Sequence, residues 1–573
     1  MSIGLGIGRG HAPKSEPTLW LLQDEFASAL PVGSVNGSLA EPGPGTRTVV
    51  DTAGNKVYIS SGSLAINGAS SWDDTYISYA SVGAWTAGRV LLTRILSTWG
   101  EGLVGFIRSN WSDGVLFADY LRAWGPAQDI IPTTLGYWHD LAIVTRASGH
   151  FLFLRRYGET TWALRWMRND SASATMPVSV QAASGALYVS HLRIPTALWL
   201  PTPLASDGFG SAFGTTDGLG HAEGIAGGIG AGGSGKTWSN VGGTWSVSGG
   251  KAINTPTLGI EKEADPGMEG EYTGGLAPYW NSQVGITTVQ NTTDMRSGSK
   301  CQQLYGTANN QTISQNHVQL SLTTGMWYRF SMYVKRIAGT VGNCTAMMGG
   351  TIGFSPGGNT HPNLSGYTIS NATYSERYRV MRCLNQGNFK YDPVGFWNEA
   401  TGDTVVVDDV SVKPLALSEL ISVLPTGASD VYCSVSITQA STASGAACPS
   451  GLVFNCDSAS NPQNLVIVYI NREVNTVNEY VRIEKCVNGT WASVGAAKYT
   501  YSAGASLVVT KSGSEYRIYY NSVSIGSYTI SDASIVNNTL HGLFSTDASN
   551  SLDDYACYAT GSGGEYAELD KWS

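Results

Sequence analysis

Charge is what this chain of 573 residues has least of: only 13% are Asp, Glu, Lys or Arg. Long surface helices need Ala, Leu, Glu and Lys recurring every ~3.6 residues, and that material is scarce. The small balance is acidic, −9 overall. This argues against nucleic acid as a principal partner, because neutralising phosphates needs a basic face. No apolar run reaches the ~18 residues a membrane-spanning helix requires, so no membrane insertion is expected. The opening MSIGLGIGRGHAPKSEP is not expected to act as a secretory signal, since Gly breaks its apolar part and Arg follows instead of leading.

Cysteine is absent before Cys301; Cys301, Cys344 and Cys383 then fall mid-chain, and Cys433, Cys448, Cys456, Cys486 and Cys557 later. No C-x-x-C occurs, which argues against zinc or thioredoxin-like chemistry. The thiols read as buried apolar fillers, with some bridges open. No H-E-x-x-H spacing exists, and His139, within an apolar strand, reads as structural. Glycoside hydrolysis needs two carboxylates roughly 5–10 Å apart. No Glu-x-Asp-x-Glu run places such a pair on one strand face. Asp73-Asp74 and Asp553-Asp554 read as exposed turns. The chain is therefore expected not to be an enzyme and to carry no organic cofactor.

What the chain does have is glycine, 70 residues, and aromatics, with 17 Trp and 28 Tyr. That is a composition for short strands and tight turns. Strand-like runs punctuated by turns recur from residue 57 to 194, the pattern of a sandwich or barrel. One clear hairpin spans Trp138–Arg156, split by Arg146-Ala147-Ser148-Gly149.

The glycine-rich run Leu204–Gly259 repeats the start of that pattern. Asp24-Glu25-Phe26 and then Val57–Asn67 find counterparts in Asp207-Gly208-Phe209 and then Trp245–Asn254. Each ends as strand, Gly-containing turn, strand. Within the run, Gly230–Thr237 spells G-x-x-x-x-G-K-[ST]. A phosphate loop works only between a buried strand and a helix, and neither flanks it, so it reads as a connector. Residues 259–414 change character, opening with the acidic IEKEADPGMEGEY. The run Thr324–Lys335 alternates as a strand with one buried face. After Pro414 the first pattern returns: Ser506–Tyr520 reads as a hairpin, and Glu565–Trp572 as a closing strand matching Ala186–Ile194. The economical arrangement is a 1–16 N-terminal arm and a sandwich at 17–203. A second, discontinuous sandwich then comprises 204–258 and 415–573, with 259–414 inserted. Such an insertion costs little closure entropy.

These residues carry a resemblance. The Asp-x-Phe start, the Ser248–Lys251 hairpin and the Trp138-His139-Asp140-Leu141 strand resemble laminin-G-like, concanavalin-A-type jelly rolls. Asp265-Pro266-Gly267-Met268-Glu269, Thr324–Lys335 and Val407–Val412 resemble the carbohydrate-binding jelly rolls of family 4/9 type. The fold implied is all-β, with three jelly-roll β-sandwich domains, one inserted into a loop of another, and an extended Gly-rich N-terminal arm. The resemblance also implies a structural calcium ion held by Glu269 with Asp408 or Asp409. Sugar-stacking candidates are the aromatics Trp280, Tyr279, Tyr391 and Trp397, with Trp111 or Trp124 in the first module. The glycine-patterned start and the linker Leu198–Leu204 are similar to phage virion components of tail-fibre or decoration kind. That likeness implies a virion location, other virion proteins as partners, a homo-oligomer, and host-surface glycans as ligands. The alternative is an extracellular polysaccharide-binding protein or an accessory part of a glycoside hydrolase.

Overall fold

The computed structural model describes residues 20–560 and Leu569. Excepted are the spans 69–74, 80–85, 107–114, 124–129, 170–177, 215–235, 340–343, 347–353, 356–366, 384–389, 397–402, 441–445 and 473–479, and shorter gaps between them. The chain is all-β. Its described strands pair antiparallel except for Ala446–Ala447, which runs parallel to Tyr378-Arg379, and short helical turns such as Leu417–Leu420 and Ala533–Val536 join them. Two compact units emerge: residues 1–201 with 561–573, and residues 202–560.

The first unit is a sandwich. One sheet runs Ala163–Asn169, Gly149–Arg156, His139–Arg146, Val90–Trp99, Ala186–Pro195, Ser63–Asn67, Val57–Ser60, with Trp20–Asp24 also on Ala186–Pro195. Its partner sheet has Gly102–Phe106, Val178–Ala182, Thr75–Tyr79 and Arg47–Asp51 as neighbours. The hairpin around Ala147-Ser148 is paired without a slip from His139↔Arg156 to Arg146↔Gly149. Its register is set by apolar residues such as Leu141, Ile143, Leu152 and Leu154, which are all buried.

The second unit repeats this order element by element. One sheet runs Val523–Thr529, Glu515–Tyr520, Ala505–Ser512, Val431–Thr438, Ser551–Ala559, Lys251–Thr255, Thr244–Ser248, with Ala205–Asp207 on Ser551–Ala559. Strands that precede residue 259 thus share a sheet with strands that follow residue 415. The closing strand is Ser551–Ala559 and not the expected 565–572, and 561–573 belong to the first unit. The reason is burial: Leu552, Tyr555 and Cys557 complete the second sandwich's apolar layer. Asp553-Asp554, expected in an exposed turn, instead forms a bulge within that strand, with Asp554 at φ 52°.

Between Thr255 and Leu415 lies the third sandwich. Its longer strands, Trp327–Ala338, Ser375–Cys383 and Asp403–Leu415, are neighbours in one sheet. Its other sheet carries Gln311–Asn316. Three apolar layers result. The first lies inside the host sandwich, with Val435, Leu452, Val468 and Ile518. The third lies inside the insert, with Phe330, Met332, Leu304 and Ile313. Between them sits a layer shared by both: Trp327, Val380 and Leu415 meet Val453, Ile467, Tyr469 and Phe544. The strand period of two explains it, since Tyr328, Phe330 and Met332 point into the insert while Trp327 points out. The host sheet Ser450–Cys456, Leu465–Asn471 is likewise buried on both faces. The four sheets form one stack, so Thr324–Lys335 is covered on its outer face too at the Trp327 end. Burying an aromatic this size is worth roughly 1.5–3 kcal/mol.

Candidate functional site

A cleft of about 240 Å³ opens where insert and host meet. The insert contributes the turn Thr324-Gly325-Met326 and Trp327, and the host contributes Pro462, Gln463, Cys486, Gly489 and Trp491. The host wall is built by a two-residue hairpin turn. Asn488 at φ 49° and Gly489 at φ 77° join Tyr480–Val487 to Thr490–Lys498, the Asn-Gly chemistry a tight turn of positive φ demands. The Gly489 N–H donates to the Gln463 carbonyl at 3.0 Å, which draws the Gln463 loop against the hairpin. The insert wall rests on Gly325, at φ 87°, whose N–H donates to the Cys383 carbonyl at 2.7 Å. A side chain on Gly325 would press against the Trp491 ring at 3.3 Å.

Trp491 is half-buried, and the Arg382 guanidinium of the insert lies 4.7 Å from its ring centre. Arg382 is in turn fixed by Glu484 of the host, through Nη2 at 2.6 Å and Nε at 3.1 Å. Tyr469 donates to the other Glu484 oxygen at 3.1 Å. Arg382 and Glu484 are 1% and 0% exposed. A buried pair like this is strongly disrupted when either partner is removed. The indole is therefore held from one side by a cation that cannot swing away. The neutral residues Gln463 and Thr324 line the cleft with apolar Met326, Leu415 and Leu417, and the Gln463 amide is held by donation to Asn461 Oδ1 and the Pro462 carbonyl, both at 3.1 Å. Burial pushes the Cys486 thiol up to about 11, so at neutral pH it is not a thiolate nucleophile. The cleft can stack and hydrogen-bond a neutral polar ligand.

Among the described residues, none of the sugar-stacking or metal candidates named from the sequence lines this cleft, although the run Thr324–Lys335 supplies one of its walls. Trp280 is 5% exposed, packed in the insert's layer with Met268 and Ile286; it is core, contrary to the expectation of an exposed platform. The apolar layer needs a large side chain beneath the Pro278 turn, and Trp280 supplies it. Tyr279 is 54% exposed with φ 69°. Tyr391 lies in the strand Lys390–Tyr391, opposite Gln315. Trp397, Trp111 and Trp124 lie outside the described residues, as do Asp73-Asp74 and 230–235 of the phosphate-loop pattern. Immediately after that pattern, Trp238 donates its indole N–H to Asp207 at 2.7 Å, which is core packing and not a helix start.

Glu269, Asp408 and Asp409 all reach the loop Arg296–Lys300. Glu269 accepts from Ser299 and Lys300 N–H at 2.8 and 3.1 Å. Asp408 accepts from Arg296 and Ser297 N–H at 2.8 and 3.2 Å. Asp409 is paired with the Arg296 guanidinium and the Ser297 hydroxyl. Calcium takes six to eight oxygens, whereas these carboxylates face N–H and O–H donors and a fixed cation. Among the described residues no group of three or more His, Cys, Asp or Glu is placed to hold a metal. The residues present do not fit a calcium ion.

His139 is buried, with Nδ1 donating to the Tyr137 carbonyl at 3.0 Å, and burial lowers its pKa. Gly353–Gly357 spells G-x-S-x-G, but Phe354–Ser355 is a short edge strand antiparallel to Arg382–Cys383. A nucleophile elbow needs a strand-to-helix turn. The signal for the cleft was nonetheless in the sequence. Asn488-Gly489 marks a hairpin, and Trp491 two residues later sits on an edge strand whose other side chains are mostly small or polar.

No family model matches the sequence, and no curated relative matches it. Solved structures that resemble parts of it include carbohydrate-binding modules and glycoside hydrolases. The carbohydrate-binding module CBM66 from Bacillus subtilis is 16% identical, with 24% of this chain and 76% of that one covered and a TM-score of 0.17. The CBM22-1 xylan-binding domain of Paenibacillus barcinonensis Xyn10C is 12% identical, with 28% and 96% covered and a TM-score of 0.21. The exoplasmic domain of VIP36 is 6% identical, with 30% and 90% covered and a TM-score of 0.23.

Proposed function

We propose that the chain is a non-catalytic glycan-binding protein whose ligand stacks on Trp491 in the cleft between insert and host. The observation that carries this reading is the indole itself, backed by a buried guanidinium in a cleft whose polar lining residues, Gln463 and Thr324, are neutral. The C–H face of a sugar ring packs on an aromatic plane while its hydroxyls need neutral donors and acceptors. The volume of about 240 Å³ is below the roughly 300–1,000 Å³ of sites for drug-sized ligands, which suits one sugar unit or a chain end. Binding rather than hydrolysis is favoured because the cleft lining offers no carboxylate among the described residues.

The biological setting we propose is a virion component of tail-fibre or decoration type, homo-oligomeric and reading host-surface glycans. Its support is the glycine-patterned start and the Leu198–Leu204 linker. The second reading is an extracellular polysaccharide-binding protein or glycoside hydrolase accessory, for which the same cleft serves equally. A glycan array followed by calorimetry on the full chain tests the binding claim. One glycan class should bind, and Trp491→Ala should weaken it at least tenfold, which is ~1.4 kcal/mol. An array without a hit, or affinity that survives Trp491→Ala, overturns it. Electron micrographs of the native assembly separate the two settings.

A further inference from the structure

Two of the cysteines stand apart from the rest. Cys433, on Val431–Thr438, and Cys557, on Ser551–Ala559, are directly opposite one another in an antiparallel ladder. Opposed residues in such a ladder have Cα atoms about 4.5–5.5 Å apart, inside the roughly 4.4–6.8 Å that a disulfide spans. Their sulfurs already lie 3.1 Å apart. Both side chains are fully buried in the host's apolar layer, against Tyr555. The position does not require a thiol for packing. In the first sandwich, the residue two before the buried Asp24 pairs with Ile194, whereas the residue two before Asp207 pairs with Cys557. An aliphatic side chain fills that place in one copy, and a cysteine facing a cysteine fills it in the other.

We propose that Cys433 and Cys557 form a cross-strand disulfide that staples two adjacent strands of the host sandwich. The reaction is exchange with a small disulfide such as oxidised glutathione, RSSR. A thiolate from one cysteine attacks RSSR and releases RS⁻. The second thiolate then displaces RS⁻ from the mixed disulfide. In sum two thiols and one RSSR give one protein disulfide and two RSH, so the protein is oxidised by two electrons and the small disulfide is reduced. The exchange takes place before the two strands are buried. In the folded sandwich, burial drives the Cys433 thiol well above its ordinary value and leaves no path for an oxidant. Once closed, the bond is shielded from reductants by the same burial. It links residues 124 apart in sequence, so the loop it ties contains most of the host's second half.

The experiment uses the full chain, refolded from urea with oxidised glutathione, then unfolded without reductant and alkylated with iodoacetamide. Peptide mass spectrometry should find Cys433 joined to Cys557, with Cys301, Cys344, Cys383, Cys448, Cys456 and Cys486 alkylated. The oxidised protein should melt higher than the same protein refolded with dithiothreitol, by roughly 5–10 °C for a loop this long. Adding dithiothreitol after folding should remove little of that difference. Alkylation of both Cys433 and Cys557 after oxidative refolding overturns the proposal. So does linkage of either one to a different cysteine. Because the linkage is read on the unsubstituted protein, a variant that fails to fold cannot obscure the answer.

Discussion

The two sandwiches related by the Asp-x-Phe repeat follow the same strand order, yet they solve two problems differently. Each begins with a buried aspartate whose carboxylate accepts the N–H of a phenylalanine two residues on, at 3.1 Å in Asp24–Phe26 and 2.9 Å in Asp207–Phe209. Both phenylalanines sit at positive φ, 50° and 52°. In the first copy the carboxylate is balanced by Arg47, at 2.6 and 2.7 Å, and by the Tyr79 hydroxyl at 2.6 Å. In the second, the neutral indole of Trp238 donates to the carboxylate at 2.7 Å. The other difference is the link after the first hairpin. It is short between Asn67 and Thr75, but between Thr255 and Ile421 it carries a whole sandwich. The comparison teaches that this edge of the fold tolerates a guest. The guest is then fused to its host by a shared apolar layer, not left on a tether.

The largest effect is expected in that shared layer. Trp327→Ala should cost about 3–5 kcal/mol and should lower host and insert together in urea unfolding of the full chain. If only one transition moves, the shared layer is not a cooperative unit. Asp24→Ala should cost a similar ~3–5 kcal/mol, because Arg47 would be left charged and buried. Asp207→Ala should cost only about 1–3 kcal/mol, the penalty of neutral donors left unpaired. Equal losses at the two aspartates would remove the distinction drawn between the copies.

A third effect sharpens the contrast between guest and host through pH. Glu263 of the insert is buried, and burial pushes its carboxyl up to about 7 from an ordinary 4.5. The folded state therefore holds this proton more tightly than the unfolded state. Its contribution is complete below pH ~4.5 and is lost as pH rises through about 7. His541 of the host runs the opposite way: burial lowers it to about 4 from 6.5. Its contribution is present above pH ~6.5 and is lost as pH falls through about 4. Glu263→Gln should thus stabilise the protein at pH 8 by up to ~3 kcal/mol and change little at pH 4.5. Urea midpoints at the two pH values check this; an equal shift at both would contradict it. A smaller effect, about 1–3 kcal/mol, is expected for Trp238→Phe, which keeps one aromatic ring but removes the rest of the indole and its N–H to Asp207.

Much of the scaffold was legible. The Trp138–Arg156 hairpin and the two Asp-x-Phe starts follow from alternation and turn chemistry, each in a short local stretch. The closing strand was misplaced because Ser551–Ala559 and 565–572 offer similar alternation, and only burial of Tyr555 and Cys557 separates them. The candidate site was not found because its walls come from segments more than 130 residues apart, Thr324–Trp327 and Gln463–Trp491. Trp280 misled because an aromatic after Pro278 looks the same in sequence whether it faces solvent or core.

By itself, the order of residues determined that this protein is made of strands. Low charge, abundant glycine and a period of two act over neighbouring residues and need no partner to be read. Which faces are covered, which carboxylates meet a cation and where a ligand can enter were decided only when distant strands stacked. Burial and pairing depend on distances in space that sequence separation does not encode.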